Sequence, residues 1–194
     1  MDYPKLNPAA KALIFDLDGT LANSIPIHNA AWDETCKTFN YTFDKDFFIK
    51  MTGMPTRSFA EFIKKDSGCS MSVDELVRIK QKHFLKNAPL IKPFKKMADF
   101  VLENYGKIPM SIGTGGSNKS ATMILKTIGL SQYFPVVVTA DDVVNHKPFP
   151  DTFLKCAELM GIDPVYCQVF EDGEKGMEAA LSAGMMVTDV RIYY

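Results

Sequence analysis

The sequence predicts an α/β fold in which a doubly wound parallel sheet carries a small all-helical insertion after its first strand. Three features indicate this fold: short apolar runs bounded by polar, glycine or proline residues, helical patterns between these runs, and one long stretch of helical patterns without a strand. Short buried strands alternating with helices are typical of parallel sheets covered on both faces. The 194 residues are enough for one compact unit with a modest insertion.

Five apolar runs are each too short for a helix and are bounded by turn-forming residues, which predicts buried strands. These strands are Ala12–Phe15, Ile108–Gly113, Val136–Thr139, Cys167–Phe170 and, with a weaker pattern, Met186–Val190. Helical patterns lie between the later runs, at Phe94–Tyr105, Lys119–Ile128, Pro150–Met160 and Gly173–Ala183. Each strand is thus predicted to be followed by a connection that returns the chain to the same end of the sheet.

The region between the first two strands contains only helical patterns, at Ile27–Phe39, Asp44–Met51, Thr56–Lys65 and Ser72–Lys86. Pro89 and Pro93 mark the return of the chain to the sheet. We therefore expect residues 1–23 and 90–194 to form the α/β core and residues 24–89 to form a helical cap.

Composition excludes several classes of protein. The 22 basic and 23 acidic residues give a net charge of −1, so no basic surface for a nucleic acid is expected. No apolar run has the length of a signal peptide core or a membrane span. The four cysteines fit no zinc-binding pattern and are expected to be reduced thiols. We expect a cytoplasmic monomer that binds neither nucleic acid nor membrane.

Acidic residues follow three of the predicted strands: Asp16 and Asp18 the first, Asp141–Asp142 the third, and Glu171–Asp172 the fourth. The carboxyl ends of parallel strands meet at one edge, where ligands bind. Carboxylates without a histidine or cysteine cluster are ligands that Mg²⁺ prefers. The alternative is that these residues are ordinary loop acids and helix caps, and Glu171 or Asp172 alone could serve as a cap.

The same edge has features of an anion site. Thr114-Gly115-Gly116-Ser117 follows the second strand and opens a helix, so that backbone N–H groups and the Thr114 hydroxyl can face a phosphate. Lys147 follows the third strand and supplies a positive charge. Taken alone, the glycine segment is equally compatible with a plain turn and a serine cap.

Asp16-Leu17-Asp18-Gly19-Thr20-Leu21, placed after an apolar strand, resembles motif I of the haloacid dehalogenase-like phosphohydrolase superfamily. Thr114, Lys147 and Glu171–Asp172 follow in the order of its motifs II, III and IV. The resemblance spans almost the whole chain. The helical insertion is similar to the C1 cap of the β-phosphoglucomutase-like branch. Within that branch, the segments around Thr114, Lys147 and Asp172 are most similar to small fructose-1-phosphate phosphatases.

The resemblance implies a role for each motif residue. Asp16 is the expected nucleophile, which takes the phosphoryl group as an aspartyl phosphate, and Asp18 is the expected general acid and base. The expected phosphate ligands are Thr114, Gly115 and Lys147. The expected ligands of Mg²⁺ are Asp16, the main-chain carbonyl of Asp18, Asp172 and, directly or through an intervening group, Glu171.

Two cap residues are expected to contact the substrate. His28 lies twelve residues after Asp16, where the branch has a cap histidine. Gly53–Arg57 resembles the substrate loop of the branch, with Arg57 directed at the sugar or a distal phosphate. The alternatives are a structural histidine and a solvated arginine.

The function predicted from these residues is Mg²⁺-dependent hydrolysis of a small sugar phosphate similar to fructose 1-phosphate. The alternative is a β-phosphoglucomutase, which interconverts β-glucose 1-phosphate and glucose 6-phosphate. Thr52 stands where those mutases carry a lysine, and Asn23 stands where an aspartate commonly follows motif I; both differences favour a phosphatase. A non-catalytic phospho-acceptor domain is a third possibility, against which Asp18 and the long helical insertion argue.

Overall fold

A five-stranded parallel sheet lies at the centre of the computed structural model, which describes residues 3–42 and 54–194. The strands are β1 (Ala12–Phe15), β2 (Met110–Gly113), β3 (Val136–Val138), β4 (Cys167–Glu171) and β5 (Met186–Asp189). Their order across the sheet is β3-β2-β1-β4-β5. The chain therefore builds one side of the sheet outward from β1 and then crosses to the other side. This reversal opens a crevice at the carboxyl ends of β1 and β4, and the predicted fold class is confirmed.

Seven helices are present in the described part of the chain, and each predicted boundary there is within two residues of the observed one. Those of the insertion are α1 (Ile25–Lys37), α2 (Thr56–Ser67) and α3 (Val73–Asn87). Those of the core are α4 (Lys95–Asn104), α5 (Asn118–Thr127), α6 (Asp151–Met160) and α7 (Glu174–Ser182). The predicted helix Asp44–Met51 lies outside the described residues.

The central strand β1 is fully buried on both faces, as expected when helices cover a parallel sheet on both sides. Leu13 and Phe15 belong to one apolar cluster, whereas Ala12 and Ile14 belong to the cluster on the opposite face. The Phe15 ring stacks on Phe170 of β4 with 4.9 Å between ring centroids. Each large side chain buried in this way contributes about 1.5–3 kcal/mol to the stability of the fold. The residues directly after β1 are thus attached to a rigid support.

The helices of the insertion have an apolar core of their own, formed by Trp32, Cys36, Phe59, Ala60, Ile63 and Leu76. Ser72 begins α3 with a capping box, because its hydroxyl accepts from the Glu75 amide while the Glu75 carboxylate accepts from the Ser72 amide. The chain leaves and re-enters the core at adjacent points, since the Asn23 amide donates to the Lys92 carbonyl at 2.9 Å. This arrangement agrees with a cap inserted after β1, and its limits at residues 24 and 89 stay a prediction.

None of the helices within residues 3–42 and 54–194 combines the length and apolarity needed to cross a membrane. All four cysteines are free thiols, and Cys36, Cys156 and Cys167 are buried.

Candidate active site

Lys147 joins two of the predicted site residues at the carboxyl edge of the sheet. Its Nζ atom lies 2.7 Å from Oδ1 of Asp16 and 2.8 Å from Oε1 of Glu171. The lysine side chain is completely buried, and the two carboxylates are 5% and 2% exposed. Burial lowers the pKa of Lys147, but the two carboxylates raise this pKa by more than burial lowers it, so the net shift is upward. The side chain is therefore a permanent positive charge between the ends of β1 and β4.

Asp16, Glu171 and Asp172 form an acidic cluster in which one oxygen from each residue lies within 4.8 Å of the others. Burial raises the pKa of Asp16 well above its usual range, and the neighbouring Glu171 raises it further. Burial and Glu171 also raise the pKa of Asp172 to about 7. Two of these three carboxylates bind the Lys147 ammonium, and all of the possible ligand atoms of the cluster are oxygens. The residues present therefore fit a hard divalent cation such as Mg²⁺.

Glu171 is held by the backbone as well as by Lys147. Its Oε2 atom accepts hydrogen bonds from the amides of Asp172 and Gly173 at 2.7 and 2.8 Å. A Cβ atom at Gly176, in the first turns of α7, would lie only 1.6 Å from Oε1 of this carboxylate. Glycine at position 176 is thus what allows Glu171 to reach Lys147.

The turn after β1 is shaped around Asp172. Gly19 has a φ of +92°, and a Cβ atom there would lie 2.2 Å from Oδ2 of Asp172. Thr20 donates its hydroxyl to Oδ1 of the same carboxylate at 3.0 Å. A glycine is required at position 19 both by the left-handed backbone and by the close approach of the carboxylate.

Asp18 faces the cap rather than the acidic cluster. Its Oδ1 atom accepts from the Ser24 hydroxyl at 2.5 Å and lies 2.9 Å from Nε2 of His28 on α1. Burial raises the pKa of Asp18, but His28 and the Ser24 hydrogen bond lower it by more, so that the carboxylate is anionic in this arrangement. The structure thus places the predicted cap histidine in contact with the predicted general acid and base.

Lys80 is a site residue that the sequence reasoning missed. Its Nζ atom lies 2.8 Å from Nδ1 of His28, and its ammonium faces the rings of Phe84 and Trp32. Because an ammonium can only donate, His28 accepts at Nδ1 and its proton lies on Nε2, which donates to Asp18. A signal was present in the sequence, since Lys80 lies between Leu76 and Phe84 at helical spacing on the buried stripe of α3.

We expect Lys80→Met to lower kcat about 10- to 100-fold, because His28 would lose the group that fixes its tautomer. Methionine keeps the length and the apolar contacts of the side chain. The matched control is Lys82→Met on the same helix, where the side chain is exposed. Steady-state kinetics of both variants check the prediction, and equal rates for Lys80→Met and the wild type would contradict it.

Stability provides a second readout for the same variant. Burial lowers the pKa of Lys80 from 10.5 to about 8, and Asp18 only partly opposes this shift. Between these two values the unfolded chain binds more protons than the folded one, so Lys80 makes the folded state more stable as the pH rises. Denaturant unfolding of the wild type should therefore show a gain from about pH 8 to about pH 10 that Lys80→Met lacks.

The predicted phosphate loop lies beside Asp18. Thr114 is buried, and its hydroxyl oxygen accepts from the Gly116 amide at 3.0 Å, which closes the turn after β2. A Cβ atom at Gly116 would lie 3.4 Å from Oδ2 of Asp18, so the loop passes close to this carboxylate. Ser117 caps α5 by accepting from the Ser120 amide. Gly115 is buried within the same loop.

Three expectations turn out differently or lie beyond the described residues. Arg57 is not at the acidic cluster. Its guanidinium binds Asp74 at 2.6 Å on the exposed surface of the cap, and its contact with substrate stays a prediction.

Asp141 and Asp142 are helix and turn caps, since they accept from the amides of Asn118 and Thr139. Their charge is satisfied by backbone N–H groups, so these two acids are not drawn to a cation. Thr52 and Gly53 lie outside the described residues.

Comparison with known proteins identifies the family. The sequence model of the haloacid dehalogenase-like hydrolases matches residues 13–190. The chain belongs to the haloacid dehalogenase-like hydrolase family. It is 38% identical over 183 residues to the fructose-1-phosphate phosphatase YqaB of Escherichia coli, covering 93% of this chain and 96% of the relative. It is 26% identical over 187 residues to a β-phosphoglucomutase of Bacillus subtilis, covering 93% and 83% of the two chains.

Solved structures of the family share the fold of this hydrolase. A β-phosphoglucomutase from Clostridium difficile superposes with a TM-score of 0.83 at 20% identity, covering 93% of this chain and 84% of the other. This structure shows the shared fold alone. The family match and the two relatives confirm the predicted resemblance to the family and to its β-phosphoglucomutase-like branch, and the protein is an enzyme of the hydrolase class.

Proposed function

We propose that this hydrolase removes phosphate from a small sugar phosphate through an aspartyl phosphate on Asp16, and that fructose 1-phosphate is representative of its substrates. One observation carries the proposal: the buried Lys147 ammonium lies within hydrogen-bond distance of both Asp16 and Glu171, beside the half-buried Asp172. These distances support the proposal, because the Asp16 carboxylate lies next to a buried positive charge and to carboxylate oxygens that could bind a cation.

In the first step, an oxygen of Asp16 attacks the phosphorus atom while the bond from phosphorus to the sugar oxygen breaks. Lys147 and the amides of the Thr114–Ser117 loop bind the phosphate oxygens and stabilise the charge of the transferring group. Asp18 gives a proton to the leaving sugar oxygen. A phosphate dianion beside Asp18 raises its pKa, so the substrate itself favours the protonated form that this step requires.

In the second step, Asp18 takes a proton from water, and the oxygen of that water attacks the phosphorus atom and releases Asp16. The contacts of Asp18 with Ser24 and His28 favour the carboxylate form that accepts this proton. His28, itself held by Lys80, keeps the Asp18 carboxylate oriented beside the phosphate loop. The two steps together convert a phosphate ester and water into a sugar and inorganic phosphate.

Mg²⁺ is the proposed cofactor, held by Asp16, Asp172 and the main-chain carbonyl of Asp18, with Glu171 fixing the arrangement. When bound, it would supply positive charge at the transferring phosphoryl group. The proposed division of the chain is a core of residues 1–23 and 90–194 that carries this chemistry, and a cap of residues 24–89 that covers the substrate. His28 connects the two parts through its contact with Asp18.

Phosphate release from fructose 1-phosphate, measured with and without Mg²⁺, tests the proposal. We expect turnover with Mg²⁺ and its loss in excess EDTA, with recovery when Mg²⁺ is restored. β-Glucose 1-phosphate, incubated with a trace of glucose 1,6-bisphosphate, is the matched assay for a mutase. The higher identity to the phosphatase of Escherichia coli than to the mutase of Bacillus subtilis supports hydrolysis. Formation of glucose 6-phosphate without phosphate release would favour the mutase, and no release from any of a broad panel of sugar phosphates would refute the phosphatase.

A further inference from the structure

The segment after the last strand runs along the same sheet edge as the acidic cluster. β5 pairs with β4 so that Asp189 lies opposite Glu171, and both strands end at this point. A short 3₁₀ turn, Val190–Tyr193, follows, with Val190 and Tyr193 buried against the core. The turn carries Tyr194 to the loop that follows β1, on the other side of β4.

Tyr194 contacts the backbone of that loop. Its hydroxyl oxygen lies 2.6 Å from the Gly19 carbonyl oxygen and 3.0 Å from the Thr20 carbonyl oxygen. A hydroxyl has one hydrogen, so the two carbonyls share it or receive it in turn. The tyrosine ring stacks on Phe94 with 3.8 Å between ring centroids and planes 10° apart. The stack fixes the direction from which the hydroxyl approaches the loop.

The two carbonyls belong to residues that lie against the Asp172 carboxylate. Thr20 donates its hydroxyl to Asp172, and Gly19 lies so close to the same carboxylate that no side chain fits between them. Rotation of either peptide unit would therefore move a group in contact with Asp172. Residues outside the ligand set that orient ligands in this way commonly determine how tightly a site binds its metal.

We propose that Tyr194 is a positioning residue, whose hydroxyl fixes the Gly19–Thr20 backbone so that Asp172 is held in place before a cation binds. This inference rests on the cation site of the proposed function and extends it to a side chain outside the motifs. Tyr194 contacts neither the acidic cluster nor the phosphate loop by hydrogen bonds in the structure; it acts through the loop backbone and Thr20.

The test is calorimetric titration of Mg²⁺ into the phosphate-free protein, which needs no turnover. Tyr194→Phe keeps the stack on Phe94 and removes only the hydroxyl. We expect its Kd for Mg²⁺ to rise about 3- to 10-fold, which is at or just below the lower limit of the roughly 10- to 100-fold effect of residues that contact metal ligands directly. Tyr166→Phe is the matched control, because Tyr166 precedes β4 at the opposite end of the sheet, where its ring lies under Lys11. Its Kd should equal that of the wild type.

A second variant separates positioning from a general loosening of the fold. Thr20→Val removes the hydroxyl through which the effect would reach Asp172, so adding Tyr194→Phe to it should change the Kd less than twofold. The melting temperature of metal-free Tyr194→Phe should stay within about 2 °C of the wild type. A Kd for Tyr194→Phe within twofold of the wild type, or independent effects of the two substitutions, would overturn the inference.

The same titration distinguishes this inference from the proposed function. A wild-type protein that binds Mg²⁺ but releases no phosphate from sugar phosphates would refute the proposed function alone, and the comparison of variants would still decide the role of Tyr194. A wild-type protein that binds no Mg²⁺ would overturn the inference about Tyr194.

Discussion

Asp16→Asn should lower kcat for phosphate release by at least about 10⁴-fold, because the variant has no carboxylate to form the aspartyl phosphate. Asparagine has nearly the same shape as aspartate, so the end of β1 and the contact with Lys147 can persist without the charge. The assay is phosphate release from fructose 1-phosphate at saturating Mg²⁺. Slow deamidation would regenerate aspartate, so Asp16→Ala is measured beside it.

The matched control for this prediction is Asp163→Asn. Asp163 accepts from the Val165 amide at the opposite end of the sheet, and its replacement should leave kcat within twofold of the wild type. Phosphate release by Asp16→Ala within about 10-fold of the wild-type rate would exclude Asp16 as the nucleophile.

The loss of activity should not come from unfolding. Burial raises the pKa of Asp16 in the metal-free protein, with Glu171 adding to the shift. Because the folded state then holds its proton more tightly than the unfolded state does, stability contributed by this group is present at low pH and is lost as the pH rises through the folded pKa. Metal-free Asp16→Asn should therefore lose less stability than the wild type when the pH rises, as measured by denaturant unfolding.

Lys147→Met should lower kcat at least about 10³-fold, the second largest effect expected in this chain. A carboxylate and a phosphate dianion about 4 Å apart repel by about 8 kcal/mol at an effective dielectric constant of about 20. Lys147 offsets part of this repulsion from a fixed position between Asp16 and Glu171. Methionine keeps the chain length and the contact with the Phe153 ring but has no charge.

Lys95→Met is the control for the charge of Lys147. Lys95 forms an ion pair with Asp99 on the surface, where the lysine side chain is 86% exposed. Removing this pair should change neither kcat nor the melting temperature measurably, because exposed ion pairs contribute little. Lys147→Met should also melt at a lower temperature near neutral pH, since it leaves buried carboxylates without their partner. If Lys147→Met kept more than a tenth of the wild-type kcat, the proposed role of Lys147 would be wrong.

The architecture was predictable because it depends on local patterns. The run Ala12–Phe15 is apolar at every position, and Cys167–Phe170 is apolar except for Gln168, as is typical of short strands covered on both faces of a sheet. Turn residues at their ends placed the boundaries within two residues. The juxtaposition of Asp16, Lys147 and Glu171 also followed from the pattern, because parallel strands in this topology present their carboxyl ends at one edge.

Contacts between distant segments were decided only by the tertiary structure. Lys80 on α3 and Tyr194 after β5 each reach the site through packing across elements that no local pattern connects. The contact of Asp141 with the Asn118 amide is also of this kind, whereas Asp142 closes a local capping box with Thr139.

The sequence by itself therefore determined the sheet, the helical insertion and the chemistry at the strand ends, because these depend on the order of apolar and polar residues along the chain. Only the tertiary structure decided which polar groups are paired and which are oriented by others. Hydrogen bonds depend on distances of a few tenths of an ångström between segments far apart in the chain, and such distances are fixed by packing rather than by the local sequence.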